Sequence, residues 1–111
     1  MRVVRPGAAL ILSGRLGAST VADVRIALGE AIDNGVDDLL VDLRDVELVD
    51  ATGLGVLVGA HRRADRLGRR LVLQHVPPRI DRLLHATRLH RVLVVEPEPT
   101  AVVTLESPIS A

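Results

Sequence analysis

Residues 39–59 read LLVDLRDVELVDATGLGVLVG and contain an apolar run followed by a helix start made of unusual residues. The run at 39–43 (LLVDL) predicts a buried β-strand. After it, Gly53, Gly55 and Gly59 stand where a helix should propagate. Each interior glycine costs a helix about 1 kcal/mol relative to alanine. A departure of this size from a local rule often marks a functional site or a tightly packed one.

The residues before this stretch predict two strands and a helix. Residues 8–12 (AALIL) form a compact apolar run that predicts a buried strand, and residues 1–6 predict a short edge strand. Apolar residues then recur at the spacing of one helix face: Val21, Val24, Leu28 and Ala31. Ser19 or Thr20 is placed to cap this helix, and the Asn-Gly pair at 34–35 is placed to end it.

The residues after this stretch continue the alternation of helices and strands. A second apolar stripe predicts a helix that ends at Gly68: Leu57, Ala60, Ala64 and Leu67. Residues 70–74 (RLVLQ) predict a strand, and the Pro-Pro pair at 77–78 begins a third helix. The inner face of that helix is predicted to consist of Ile80, Leu83, Leu84 and Thr87. Residues 92–95 (VLVV) predict a last strand, and the tail at 97–111 predicts a short helix.

Strands that alternate with helices in this way indicate an α/β domain with a largely parallel sheet. We therefore predict a single domain over residues 1–111, with its core at about 8–96. Its sheet should be mixed but largely parallel, with four to five strands and the helices packed mainly on one face.

Composition excludes several classes of protein. The 111 residues carry 14 basic and 14 acidic side chains, and this zero formal charge argues against binding nucleic acid or an anionic membrane. Phe, Trp and Tyr are absent, which removes the stacking platforms that single-stranded nucleic acids use. Cysteine is absent, which excludes thiol catalysis and disulfides. Since no apolar stretch approaches the roughly 20 residues of a membrane span and the N-terminus does not resemble a secretory signal, we expect a cytoplasmic protein.

Enzyme motifs fail on individual residues. The glycines approach the dinucleotide-binding fingerprint, but Val58 stands where its third glycine should be. There is no Gly-Lys-Ser/Thr run for a P-loop, no Gly-x-Ser-x-Gly elbow and no lysine at all. The histidines lack the spacing of metal ligands: His61, His75, His85 and His90. We therefore expect no catalytic residue, no metal site and no cofactor.

Two further candidate sites have simple structural interpretations. Asp42 lacks the acidic pair and the lysine that a phospho-accepting receiver domain needs, so we expect it to accept hydrogen bonds from neighbouring loop backbone. The arginines between 62 and 70 suggest a nucleic-acid patch, but the stripe on the same helix favours a solvated helix face.

The turn at 50–55 (DATGLG) leaves two interpretations open. In the first, Asp50 or Thr52 caps a helix, and Gly55 and Gly59 pack closely against a strand. In the second, a hydroxyl lies beside the exposed N–H groups of a helix N-terminus, and the glycines remove side chains from around it. Another protein can then approach the backbone closely.

The run at 39–95, from LLVDL to VLVV, resembles the STAS domain of anti-sigma factor antagonists and of sulfate-transporter tails. Upstream, LILSGRLGASTVADVRIAL at 10–28 is similar to the strand, loop and first helix of that family. The family motif is an aspartate, two small hydroxyl-bearing residues and then Gly-Leu/Ile-Gly. It stands here as Asp50-Ala51-Thr52-Gly53-Leu54-Gly55.

The resemblance implies that a partner, which is both anti-sigma factor and kinase, phosphorylates Thr52 at the second hydroxyl position. Ala51 replaces the first hydroxyl residue, and Gly17 replaces an aspartate that helps to form the partner surface. Because Leu54 and Val58 lie off the apolar stripe, we predict that they are partly exposed and contact the partner. The complete set of predicted partner-binding residues is Asp50, Ala51, Thr52, Gly53, Leu54, Gly55, Val58, Ser19 and Thr20.

The resulting hypothesis is a binding module, not an enzyme. An anti-sigma factor antagonist that is monomeric when free captures an anti-sigma factor kinase, and phosphorylation of Thr52 ends the complex. One alternative is a STAS module of another assembly, such as a stress-signalling complex or a lipid-transport accessory. A third reading is a small nucleotide-binding protein that uses the glycine-rich turn.

Overall fold

The computed structural model describes residues 1–97 and contains one five-stranded sheet. The strands are β1 (Arg2–Arg5), β2 (Ala9–Leu16), β3 (Leu39–Val49), β4 (Leu71–Gln74) and β5 (Val94–Val95). The helices are α1 (Val21–Asp33), α2 (Ala51–Arg66) and α3 (Pro78–Ala86), and a 3₁₀ helix (Leu89–Arg91) precedes β5.

The strands lie in the sheet in the order in which they occur in the chain, β1-β2-β3-β4-β5. The β1–β2 pair is antiparallel, and every later pair is parallel. Parallel neighbours must be joined by a crossover, and here a helical segment lies in each of the three connections. The prediction of a mixed, largely parallel sheet is confirmed.

The core lies between the sheet and its helices. Along β2 the buried Leu10 and Leu12 alternate with half-exposed or exposed neighbours, which is the pattern of a strand with one covered face. Leu10 pairs with Val41 and Val41 with Leu73, which places three fully buried side chains in one row across the sheet. Helices α1 and α2 pack against each other and against this row. None of the helices within residues 1–97 has the length and apolar character needed to cross a membrane.

Several predicted details are wrong, and each has a local cause. Strand β3 continues to Val49, beyond the predicted end at residue 43. Leu67 is exposed, because α2 ends at Arg66 and Leu67 is only its C-cap. Thr87 is the exposed C-cap of α3. In α1 the buried stripe includes Ile32, while Ala31 is only half-buried. The predicted tail helix lies outside the described residues, apart from its first position.

Arg69 is a buried arginine that joins three separate parts of the chain. Only 5% of its surface is exposed. Its guanidinium donates hydrogen bonds to the carbonyl oxygens of Gly7 (2.6 Å), Ala31 (2.8 Å), Ile32 (2.9 Å) and Asp37 (2.7 Å). Two of these carbonyls belong to the last turn of α1, where the helix dipole is negative. The dipole therefore supplies part of the charge compensation that a carboxylate would otherwise provide.

We expect Arg69→Ala to lower the free energy of unfolding by about 3 kcal/mol, because it leaves several buried carbonyl groups without a donor. Arg70→Ala is the matched control, since Arg70 is exposed and its guanidinium pairs with the half-exposed Asp38 at 2.7 Å. Urea unfolding of both variants should show a large loss for the first and little change for the second. Equal losses would contradict the role assigned to Arg69.

Candidate functional site

The turn between β3 and α2 is organised by one carboxylate. Asp50 has extended backbone and is the N-cap of α2; its Oδ1 accepts a hydrogen bond from the N–H of Gly53 at 2.9 Å. Its own carbonyl oxygen accepts the N–H of Leu54 at 2.9 Å. Asp50 therefore occupies one N–H group that a helix start leaves without an intrahelical partner, that of Gly53, and accepts the first intrahelical hydrogen bond, from Leu54.

The same carboxylate holds the loop between β2 and α1. Its Oδ2 accepts a hydrogen bond from the N–H of Ala18 at 3.2 Å, and the N–H of Asp50 donates to the carbonyl of Leu16. The N–H groups of Gly53 and Ala18 lower the pKa of Asp50 below its ordinary value. A side chain at position 17 would overlap this carboxylate in its present position. The position of the Asp50 carboxylate is therefore compatible with glycine at 17 and not with the aspartate of the family pattern.

Thr52 is exposed in the first turn of α2, one position after the helix begins at Ala51. The cap is Asp50 and not Thr52, which decides between the two capping residues that the sequence left open. Among residues 1–97, no hydrogen bond engages the hydroxyl of Thr52. That hydroxyl is accessible to a second protein from solvent.

The glycines of α2 divide into two kinds. Gly53 is buried, and a methyl group there would overlap the carbonyl oxygen of Leu16 in β2. Gly55 and Gly59 are exposed, and a methyl group at either would meet nothing within 4 Å. The interpretation in which Gly55 and Gly59 pack against a strand is therefore wrong, and Gly53 is the glycine that closely approaches one.

The predicted exposure of Leu54 is wrong, and that of Val58 is confirmed. Leu54 is 8% exposed, because it lies one helical turn before Leu57 and so shares its buried face. Val58 is half-buried at the edge of the core. Of the two, only Val58 presents appreciable apolar surface beside the turn.

The loop before α1 contributes one exposed hydroxyl and one internal one. Ser19 is exposed, whereas the hydroxyl of Thr20 donates to the carbonyl of Arg15 at 2.8 Å and accepts from the N–H of Gly17 at 3.1 Å. Thr20 thus closes its own loop. It caps α1 by position, although its side chain makes no capping hydrogen bond to that helix.

Leu48 was missed as a candidate, although it lies two residues before Asp50. Its exposed fraction is 52%, and it borders a depression of about 230 Å³ with Asp50 and the 15–19 segment. The missed signal is the length of β3, which continues to Val49: in this last part of the strand Val46 and Val49 are buried, and Leu48 between them is exposed. Leu48 adds an apolar contact to the exposed face of the site.

Asp42 accepts a hydrogen bond from nearby backbone, but the donor is Arg44 in β3 and not the loop that the sequence predicted. Its Oδ1 accepts the N–H of Arg44 at 2.8 Å, and its Oδ2 accepts the side-chain Nε of the same residue at 2.8 Å. Burial alone would raise the pKa of Asp42, but Arg44 and then His75 together hold it below the ordinary value. In the described part of the chain, no cluster of three acidic or histidine residues is arranged to hold a metal ion.

Comparison with known proteins identifies similar sequences. The family model described as "Mlab, STAS domain" matches residues 1–96. An anti-sigma F factor antagonist of Paenibacillus polymyxa is 29% identical over 97 residues, which cover 86% of this chain and 83% of that protein. An anti-sigma-B factor antagonist of Staphylococcus aureus (strain NCTC 8325) is 32% identical over 78 residues, which cover 70% of this chain and 72% of that protein.

A solved structure has the same fold. The anti-sigma factor antagonist SpoIIAA in its unphosphorylated form aligns with a TM-score of 0.64 at 16% sequence identity. The alignment covers 87% of this chain and 86% of that one. The likeness therefore concerns the fold and covers most of the chain.

We expect opposite effects from two alanine substitutions in α2. Gly53→Ala should lower the free energy of unfolding by about 2 kcal/mol, because its methyl group overlaps the backbone of β2. Gly59→Ala should raise it by about 0.5–1 kcal/mol, because alanine favours the helix and the space around it is open. Denaturant unfolding at one pH measures both. A loss of stability in Gly59→Ala would contradict the finding that the space around Gly59 is open.

We expect the cap to be sensitive to acid. Because the pKa of Asp50 is lowered in the folded chain, its charge stabilises the fold above its ordinary pKa of 3.8, and this contribution is lost as the pH falls through the lowered value. Asp50→Ala should lower Tm by about 5 °C at pH 7, and the difference from wild type should shrink below about pH 4. Thermal unfolding between pH 7 and pH 2.5 tests this, with the exposed Asp45→Ala as control. A difference that persists unchanged in acid would contradict it.

Proposed function

Because the chain belongs to the STAS domain family, we propose that it is an anti-sigma factor antagonist that binds an anti-sigma factor serine/threonine kinase and is switched off by phosphorylation at Thr52. The observation that carries the proposal is the exposed hydroxyl of Thr52 on a helix turn held rigid by Asp50. The names of the relatives from Paenibacillus polymyxa and Staphylococcus aureus support the same role.

The proposed partner surface consists of the exposed residues around this turn. Ala51, Thr52, Gly55 and Val58 present it from α2, Ser19 from the neighbouring loop and Leu48 from β3. Gly53, Leu54 and Thr20 lie beneath, and we assign them the role of holding its shape. The surface is small and mixed, with apolar side chains beside bare backbone, so a partner can approach Thr52 without a large side chain in the way.

A phosphate on Thr52 is expected to be held poorly by this turn. It adds about −1.5 to −2 charges, two residues from the ionised carboxylate of Asp50. A helix N-terminus normally binds an anion through its free N–H groups. Here the carboxylate of Asp50 already accepts the N–H of Gly53, so the added phosphate charge is repelled by that carboxylate. A partner that desolvates this turn would increase the repulsion, and phosphorylation should therefore release it.

The experiment uses the full chain, ATP and a panel of anti-sigma factor kinases. Mass spectrometry locates any phosphate, and calorimetry measures binding of each kinase to wild type, Thr52→Ala and Thr52→Glu. We expect phosphate on Thr52, affinity kept within about twofold by the alanine variant, and a loss of about tenfold or more in the glutamate variant.

Ser19→Glu is the matched control, because it places the same charge on an exposed residue of the neighbouring loop. It should weaken binding less than Thr52→Glu if the position of the charge matters. Absence of phosphate on Thr52, together with equal binding by the alanine and glutamate variants, would overturn the proposal and leave the turn as a scaffold.

A STAS module of another assembly is the second candidate. The family model that matches residues 1–96 carries the description "Mlab" and not that of an anti-sigma factor antagonist, which favours this alternative. A stress-signalling complex or a lipid-transport accessory would use the same exposed turn for binding but would not require phosphorylation. Binding to such an assembly that is unaffected by Thr52→Glu would support it.

A further inference from the structure

Two glycines of α2 have no structural explanation within residues 1–97. Gly55 and Gly59 are exposed, four residues apart on one face of the helix, and no atom lies within 4 Å of a methyl group built at either. Both make the helix less stable than alanine would at the same positions. Gly53 differs from them, because the absence of a side chain there allows the helix to contact β2. The two exposed glycines therefore suggest a close contact with something outside the described residues.

These glycines border a groove between α1 and α2. The groove has a volume of about 220 Å³. Its floor is formed by the buried side chains of Leu28, Ile32, Val56 and Ala60. Gly29 lines it from the α1 side, where an added methyl group would press against the guanidinium of Arg63 at 3.2 Å. All along the groove, small residues bring backbone to the surface on both sides.

The rim of the groove is positively charged. Three arginines line it, Arg25, Arg63 and Arg66, and no acidic residue does. Arg63 pairs with Asp33 on α1. Within residues 1–97, neither Arg25 nor Arg66 makes an ion pair, and both are exposed. The formal charge of the whole chain is zero, so the positive charge at this groove is a property of the groove and not of the chain as a whole.

We propose that this groove is a second docking surface, which binds a helix of a partner protein that presents small residues to Gly55 and Gly59 and carboxylates to Arg25 and Arg66. The proposal goes beyond the function proposed for the Thr52 turn: the groove shares Gly55 with the surface around that turn but contains neither Thr52 nor Asp50. Bare backbone allows two helices to approach closely, and acidic side chains on either side of the contact complement the arginines.

The dimensions and the charge favour a helix over two other occupants. Ligand pockets usually enclose about 300–1,000 Å³, so the groove is small for a drug-sized molecule but suits the small side chains of a helix lying across its mouth. A second copy of this chain, bound about a twofold axis, would bring two copies of the same arginine-lined surface together. From Gly55 to Arg66 the groove follows about 16 Å of α2, or three turns of a partner helix.

The test uses the full chain labelled with nitrogen-15 and two synthetic peptides of about 18 residues, stapled so that they are helical in solution. Both peptides carry alanines at i, i+4 spacing on one face; one has glutamates beside that face and the other has lysines. We expect saturable shifts of the amide signals of the groove residues with the acidic peptide only. Gly59→Leu should weaken its binding by about tenfold or more, and Arg25→Glu or Arg66→Glu by about threefold to tenfold each.

Arg62→Glu is the matched control, because Arg62 is exposed on α2 but does not line the groove, and it should change the affinity by less than about twofold. Peptide binding is measured without kinase or ATP, so its outcome does not depend on phosphorylation of Thr52, which separates this proposal from the one for the turn. No saturable shifts, equal binding of both peptides, or shifts away from the groove would overturn it. So would self-association that Gly59→Leu abolishes, or nuclear Overhauser contacts from residues 98–111 to the groove in the free chain.

Discussion

The arrangement of helices on the sheet depends on the ends of α2 being held by opposite kinds of polar contact. At its start, the carboxylate of Asp50 accepts N–H groups from the helix and from the loop after β2. Just beyond its end, the guanidinium of Arg69 donates to the last carbonyls of α1 and to the turn between β1 and β2. Each charge satisfies backbone groups that a helix end or a loop leaves without partners. The apolar core then supplies most of the driving force, while these contacts determine where α2 lies.

The turn that carries Thr52, the proposed partner site, is held in place by these contacts. Thr52 is exposed, but the residues beneath it are fixed by a buried glycine, a buried leucine and a capping aspartate: Gly53, Leu54 and Asp50. A hydroxyl on a rigid, bare turn is a well-defined target for another protein, because little conformational entropy is lost on binding. The family motif in this sequence therefore contains two kinds of residue. Asp50, Gly53 and Leu54 hold the turn in shape, and Ala51, Thr52 and Gly55 are exposed.

Much of the fold is predictable from the sequence, because helix and strand periods alternate clearly and the Asp-x-x-Gly-x-Gly turn is local. The missed features depend on distant parts of the chain. Arg69 stands in an arginine-rich stretch that suggests solvent exposure, and only the carbonyls of Gly7 and α1 make it a core residue. The exposure of Leu48 beside the turn was not predicted, because the length of β3 depends on its pairing with β2. The three glycines of α2 look alike in sequence, and only their surroundings distinguish Gly53 from Gly55 and Gly59.

The order of strands in the sheet has a consequence for how the chain acquires its structure. Every strand pairs with the strands before and after it in sequence, so no late segment must insert between two that have already formed. The β1–β2 hairpin can form first, and each helix and strand can then be added at the growing edge. Each parallel pairing still joins residues about 30 apart in sequence, such as Leu10 with Val41, so the entropy of closing these loops opposes formation of the sheet. The same order suits a chain that emerges from the ribosome N-terminus first, since each new strand finds its template already in place.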